Sequence, residues 1–177
     1  FHITWGTGPG IVAPFQAAVE QGERDGRLTI LPRHRVGELT VADGTVTGAR
    51  GDILATSGAE RGVPTSREVI DEFRISATAT IVCSGGIGGN HDLVRAAWPE
   101  RLGTAPDHML TGVPAYVDGS MHRVSEVAGA RLINGDRMWH YVEGITNWNP
   151  VWPSHGIRIL PGPSSLWLDA TGKRLPV

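Results

Sequence analysis

Ala79-Thr80-Ile81-Val82-Cys83-Ser84-Gly85-Gly86-Ile87-Gly88-Gly89-Asn90 is the stretch on which the fold turns. Residues 79–83 are apolar and β-prone, the kind of run that is buried on both faces of a parallel sheet. A glycine-rich turn follows, and the pattern predicts a helix over 91–97 that Pro99 stops. Glycines after a buried strand let the backbone turn tightly and let a ligand approach with no Cβ in the way. The helix N-terminus then offers unpaired N–H groups and a positive dipole end to a phosphate. In open α/β sheets such ligands sit at the carboxyl ends of the strands. The dinucleotide fingerprint G-x-G-x-x-G would need Gly86, Gly88 and a glycine at 91, but His91 stands there. Pattern alone therefore leaves two readings equally open, a phosphate-binding turn and a purely structural one.

Upstream, Gly6 to Gly10 reads as a loop entering an amphipathic helix over 11–24, with Ile11, Phe15, Ala18 and Val19 at helical spacing. Gly26 is placed to cap it, and 28–31 reads as a short strand. Residues 35–41 and 45–49 flank Asp43-Gly44, a strong hairpin signal. A Gly- and Ser-rich loop over 54–66 and a strand near 72–76 would complete a small antiparallel meander. Downstream, a helix is predicted over 119–128, burying Met121, Val124 and Val127 and ending at Gly129. Beyond Arg137 the sequence is Trp- and Pro-rich with little periodicity, and it closes with a strand-turn over 165–174.

Composition narrows the classes. The chain has 177 residues, 40% hydrophobic and 19% charged, enough for one domain with a core or one domain and part of another. A formal net charge of -2 gives no electrostatic footprint for nucleic acid or an anionic membrane. No apolar run approaches the ~20 residues of a membrane helix. Cys83 stands alone, which excludes an internal disulfide and a cysteine zinc site; at the end of its run it is expected to be a buried small hydrophobe. His108, His122 and His155 have no ligand spacing, so no metal is expected. Phe1-His2-Ile3-Thr4-Trp5 carries no basic segment or h-region, and a cytoplasmic setting is the expectation.

The glycine segment resembles the "VVLATGGFGGN" stretch of the succinate dehydrogenase/fumarate reductase flavoprotein superfamily, which includes 3-ketosteroid Δ1-dehydrogenases. Three further stretches fit in the same order. Residues 35–39 with 44–49 look like the family's "t-x-V-x-x-L … dG-x-V-x-G-V" hairpin. Val117-Asp118-Gly119-Ser120-Met121 with Ala128-Gly129-Ala130 resembles "TGDG-x-x-M-A-x-x-x-GA", and 166–174 resembles "i-x-V-N-x-dGkRF". The ordered set spans most of the chain.

The resemblance implies an α/β fold: a partial, Rossmann-like flavin-binding domain carrying the β-meander over 1–136, and the start of a cap or substrate domain over 137–177. It implies FAD as cofactor, with Ser84, Gly85, Gly86, Gly88, Gly89, Asn90, Asp118 and Gly119 against it and the backbone of Val36 toward the adenine. Ser84 replaces the usual Thr and keeps the hydroxyl. Hydride transfer between an apolar, steroid-like ketone substrate and the flavin is the implied chemistry, with no nucleic-acid partner. His140 lies about one residue from the family's substrate-binding histidine. Tyr141 and Tyr116 are the only phenols that could serve as acid or base. Structural roles are the simpler expectation for all three. The family's amino-terminal fingerprint and carboxyl-terminal segment are missing, so a fragment inactive by itself is expected. A non-redox nucleotide- or phosphate-binding module and a structural domain are the alternatives.

Overall fold

The computed structural model describes residues 7–60, 63, 65–138, 144–158 and 168–174, and the chain forms two compact units, Phe1–Arg33 and His34–Val177. The first unit is built on α1, Thr7–Arg24, with Pro14 inside it. The helix starts within the predicted loop, since Pro9 in a first turn forfeits no intrahelical bond. At its far end Gly26 has φ 66°. There the Arg27 N–H donates to the Gly22 carbonyl at 2.9 Å and the Gly26 N–H to the Glu23 carbonyl at 3.0 Å, the paired closure that left-handed glycine permits. Leu28 folds back on Gly22, where a Cβ would lie 2.7 Å from its Cδ2. Residues 28–31 form no strand, because Leu28 serves this closure and no neighbouring strand pairs with the segment among the described residues.

The second unit opens with β1, His34–Ala42, β2, Thr45–Leu54, and β3, Val69–Ser76, an antiparallel sheet in the order β1-β2-β3. Asp43 and Gly44, at φ 49° and 73°, make the tight turn that the Asp-Gly pair predicts. Leu39 and Leu54 are buried, and the Thr40 and Thr47 hydroxyls meet at 3.2 Å. Arg35 pairs with Asp52 across the strands through Nε at 3.1 Å, and Arg50 pairs with Glu38. Both pairs are exposed and contribute little.

Past β3 the expected buried strand over 79–83 has no hydrogen-bonded neighbour among the described residues. Ile81 is 88% exposed, and Cys83 is exposed rather than buried, because no described residue packs over them closely enough to bury them. The helices fall where expected: α2, His91–Ala96, and α3, Ser120–Val127, with one 3-10 turn at Glu100–Leu102 between them. α3 lies against β1 and buries Val124, whereas Val127 stays 77% exposed, contrary to expectation. Gly129, at φ 95°, ends α3 with the same paired closure: Ala130 N–H to the Ser125 carbonyl and Gly129 N–H to the Glu126 carbonyl, both 2.9 Å.

Two strands went unread in the sequence, β4, Gly144–Thr146, and β5, Gly156–Arg158, an antiparallel pair too short to show alternation. Of the predicted final strand-turn, a bridge between Leu168 and Arg174 is present, and residues 165–167 lie outside the described set. Its turn is tied by the Asp169 carboxylate, which accepts the Thr171 hydroxyl at 2.6 Å and the backbone N–H of Thr171 and Lys173. Helices with open antiparallel sheets agree with the expected partial α/β domain.

Candidate functional site

Thr80, Val82, Cys83, Ser84 and Gly85 border a common cavity. Leu39 and Val46 of the β1–β2 hairpin form one wall. Met121, His122 and Ser125, one turn apart on α3, form another, and residues 128–132 complete a cavity of about 650 Å³. Ser84 and Gly85 stand at its end, and Gly86 continues into a narrower cleft with Tyr116, Asp118 and Gly119.

The glycine turn divides into two halves with different neighbours. Gly85 has φ 80°, a backbone state that a side chain would strain, and a Cβ there would lie 3.2 Å from Val117 Cγ1, whereas Gly86 has nothing within 4 Å of where a Cβ would sit. Gly88 and Gly89 are the reverse. A Cβ on Gly88 would lie 2.9 Å from Val113 Cγ2, and one on Gly89 would lie 2.6 Å from the Pro114 carbonyl oxygen. Two N–H groups here are already used: Gly89 donates to the Val117 carbonyl and Asn90 to the Ile87 carbonyl, each at 2.8 Å. Asn90 caps α2, its Oδ1 accepting the Leu93 N–H at 3.2 Å while its Nδ2 donates to the Asp118 carbonyl at 3.4 Å. Gly119 N–H closes the bridge back to the Gly86 carbonyl at 3.1 Å.

Asp118 stands just before α3, where its Oδ1 accepts the Ser120 N–H at 2.9 Å. That backbone hydrogen bond, opposed by partial burial and helped by the Ser120 side chain and the charge of Arg67, holds the carboxyl below the usual carboxylate range. A carboxylate kept ionised accepts hydrogen bonds from hydroxyls and repels a phosphate.

These features bear on whether FAD would fit. Gly85 and Gly86 give Cβ-free backbone and Ser84 a hydroxyl beside a cavity, which suits a diphosphate. Residues 88–90 are filled from behind by 113–119. Val36 lies on the outer strand β1, beside a register shift, and does not line the cavity. His140 and Tyr141 fall outside the described residues. Tyr116 is 67% exposed at the cleft rim. The sequence reading missed Leu39, Val46, Met121, His122 and Ser125 as cavity walls. The i, i+4 spacing of Met121 and Ser125 was the available signal. Among the described residues no cluster of His, Cys, Asp and Glu could hold a metal ion, and no helix is long and apolar enough to cross a membrane.

A family model described as FAD binding domain matches residues 1–177. The chain is 60% identical over 177 residues to a KsdD-like steroid dehydrogenase of Mycolicibacterium smegmatis, covering all of this chain and 32% of that protein. It is 56% identical over the same length to a KsdD-like steroid dehydrogenase of Mycobacterium tuberculosis, covering 31% of it. The chain thus spans about a third of the length of these curated relatives. No solved structure matches it. From end to end, the chain belongs to the FAD binding domain family, whose cofactor is FAD.

Proposed function

We propose that this chain supplies the central part of the FAD site of a dehydrogenase acting on CH–CH groups of an apolar, steroid-like cyclic ketone. Residues 1–136 would belong to the cofactor domain and 137–177 would open the substrate-covering cap. The observation that carries the proposal is the turn 84–86, whose Ser84 and Gly85 line a cavity of about 650 Å³ and whose Gly86 lines the narrower cleft beside it. The names of the relatives support the substrate class.

In this reading Ser84 gives its hydroxyl, and Gly85 and Gly86 their bare backbone, to the diphosphate. Asp118, held ionised, takes a hydroxyl of the cofactor's sugar or ribitol, while Val36 offers edge-strand backbone to the adenine. Gly88, Gly89, Asn90 and Gly119 act one step back, giving the turn its shape. Bound FAD supplies the two-electron acceptor for a substrate C–H, and the protein orients it and excludes water. The 177-residue chain by itself is inactive, and the setting is cytoplasmic, in keeping with a lone unpaired cysteine.

The test is FAD binding by the full-length protein and its Gly86→Ala variant. A methyl at 86 meets open space, so stability should stay within about 0.5 kcal/mol. FAD affinity should fall about tenfold or more if the methyl displaces the diphosphate contact, a loss of about 1.4 kcal/mol. Unchanged affinity would remove 84–86 from the cofactor site, and a full-length protein with no flavin absorbance would end the dehydrogenase reading. Anaerobic bleaching of the flavin by a cyclic ketosteroid tests the substrate class.

A further inference from the structure

We propose that His155 is a proton-sensitive positioning residue: its neutral imidazole clasps the loop 147–155 onto Thr111 and so holds 111–119 beneath the glycine turn. Only the last step of this inference, the effect on cofactor binding, rests on the flavin reading. His155 Nδ1 receives the backbone N–H of Val151 at 3.1 Å and lies 3.1 Å from Asn147 Nδ2. An amide N–H can only donate, so Nδ1 is the acceptor and the ring proton sits on Nε2. Trp152 stacks on the same ring, centroids 3.9 Å apart and planes 23° from parallel, and its Nε1–H donates to the Thr111 carbonyl at 3.3 Å.

Thr111 is the buried end of this clasp. Its N–H donates to the Ser154 carbonyl at 2.8 Å, and its carbonyl accepts the Gly156 N–H at 3.0 Å. Its hydroxyl bridges both backbone groups of Val113 at 3.2 Å. Val113 is the residue against Gly88, and the carbonyls of Pro114 and Val117 press on Gly89. A continuous run of contacts therefore leads from one imidazole nitrogen to the packed half of the turn.

A second proton would turn Nδ1 from acceptor to donor, facing two N–H groups. Both bonds would then be lost. Among the described residues no carboxylate or guanidinium pairs with His155 to compensate. Because the clasp is complete only with the ring neutral, it holds at higher pH and loosens as the pH falls.

The full-length protein and its His155→Phe and His155→Asn variants, compared at the same pH by amide hydrogen exchange and by FAD affinity, test this. Phe keeps a stacked ring and removes the acceptor, whereas Asn places an amide oxygen where Nδ1 was and does not titrate. Protection of the Val151 and Gly156 amides should fall about threefold to tenfold in His155→Phe, the loss of one or two neutral hydrogen bonds. It should be restored in His155→Asn. On acidification the wild type should approach His155→Phe, with His155→Asn staying level. FAD affinity should follow the same order. Wild-type protection in His155→Phe, or no rescue by a folded His155→Asn, would overturn the clasp. A change in exchange without a change in FAD affinity would overturn the positioning role. A wild type that binds no FAD would end the flavin reading, and hydrogen exchange would still decide the clasp.

Discussion

Asp118 accepts the Ser120 N–H at the threshold of α3, and this bond is the main reason its carboxyl titrates below the usual range. A lowered folded-state pKa stabilises the protein above the ordinary carboxyl range, and that stabilisation disappears as the pH falls through the folded value. Asp118→Ala should therefore cost about 1 kcal/mol at pH 7, the usual loss for a helix-start acceptor. The gap to wild type should narrow below about pH 4, where carboxyls take up protons. Urea midpoints at the two pH values measure this, and a gap of constant size would show that the charge is not involved. At this scale the sequence was legible where a residue type names its own chemistry, as with the hydroxyl of Ser84, whereas the capping of α2 by Asn90 went unread. The sequence did not separate the glycine that borders open space from those packed against neighbours. Gly86 and Gly89 are the same letter in one turn, yet open space lies beyond one and a carbonyl oxygen beyond the other. Only the fold decides what occupies the missing Cβ position.

Elements whose signals are local were readable, and those that need a distant partner were not. The β1–β2 hairpin follows from Asp43-Gly44 and its flanking strands, all contained in His34 to Leu54. The run 79–83 has every compositional mark of a strand, but a strand exists only through hydrogen bonds to a neighbour, and none is present among the described residues. Nor could periodicity reveal β4 and β5, at three residues each. Within the meander, Gly48 is the position that tests the register. It has φ 153°, it sits opposite Thr40 on one side and Ser76 on the other, and a Cβ there would lie 1.9 Å from the Ile75 carbonyl oxygen. Gly48→Ala should force β2 and β3 apart and cost about 2–4 kcal/mol. Gly37→Ala, with nothing within 4 Å, should stay within about 0.5 kcal/mol. Chemical denaturation of both variants decides the matter, and equal midpoints would mean that the β2–β3 pairing is not the one seen here.

Across the molecule, burial is thin for the length of chain. Leu39, Leu54, Val94 and Val124 are the buried apolar residues among those described, and no described side chain is fully buried. Trp148 is 81% exposed and Ile133 68%, on top of the open Ile81 and Val127. A domain of this size ordinarily removes about 70% of its unfolded surface from water, and apolar side chains left in water contribute nothing toward the entropy cost of folding. The curated relatives are about three times as long, which offers the covering surface that these side chains lack. Composition could not show this, because 40% hydrophobic content is ordinary whether the partners of those residues lie within 177 residues or beyond them. The 177-residue chain studied alone should therefore bind a hydrophobic dye such as ANS and unfold over a broad range of urea, with an m-value below the ~1–3 kcal/mol/M of cooperative small domains. The full-length protein should bind no dye and unfold sharply. A steep transition from the isolated chain, without dye binding, would show that the four-residue core and the paired strands suffice, and the exposed apolar side chains would then need another explanation.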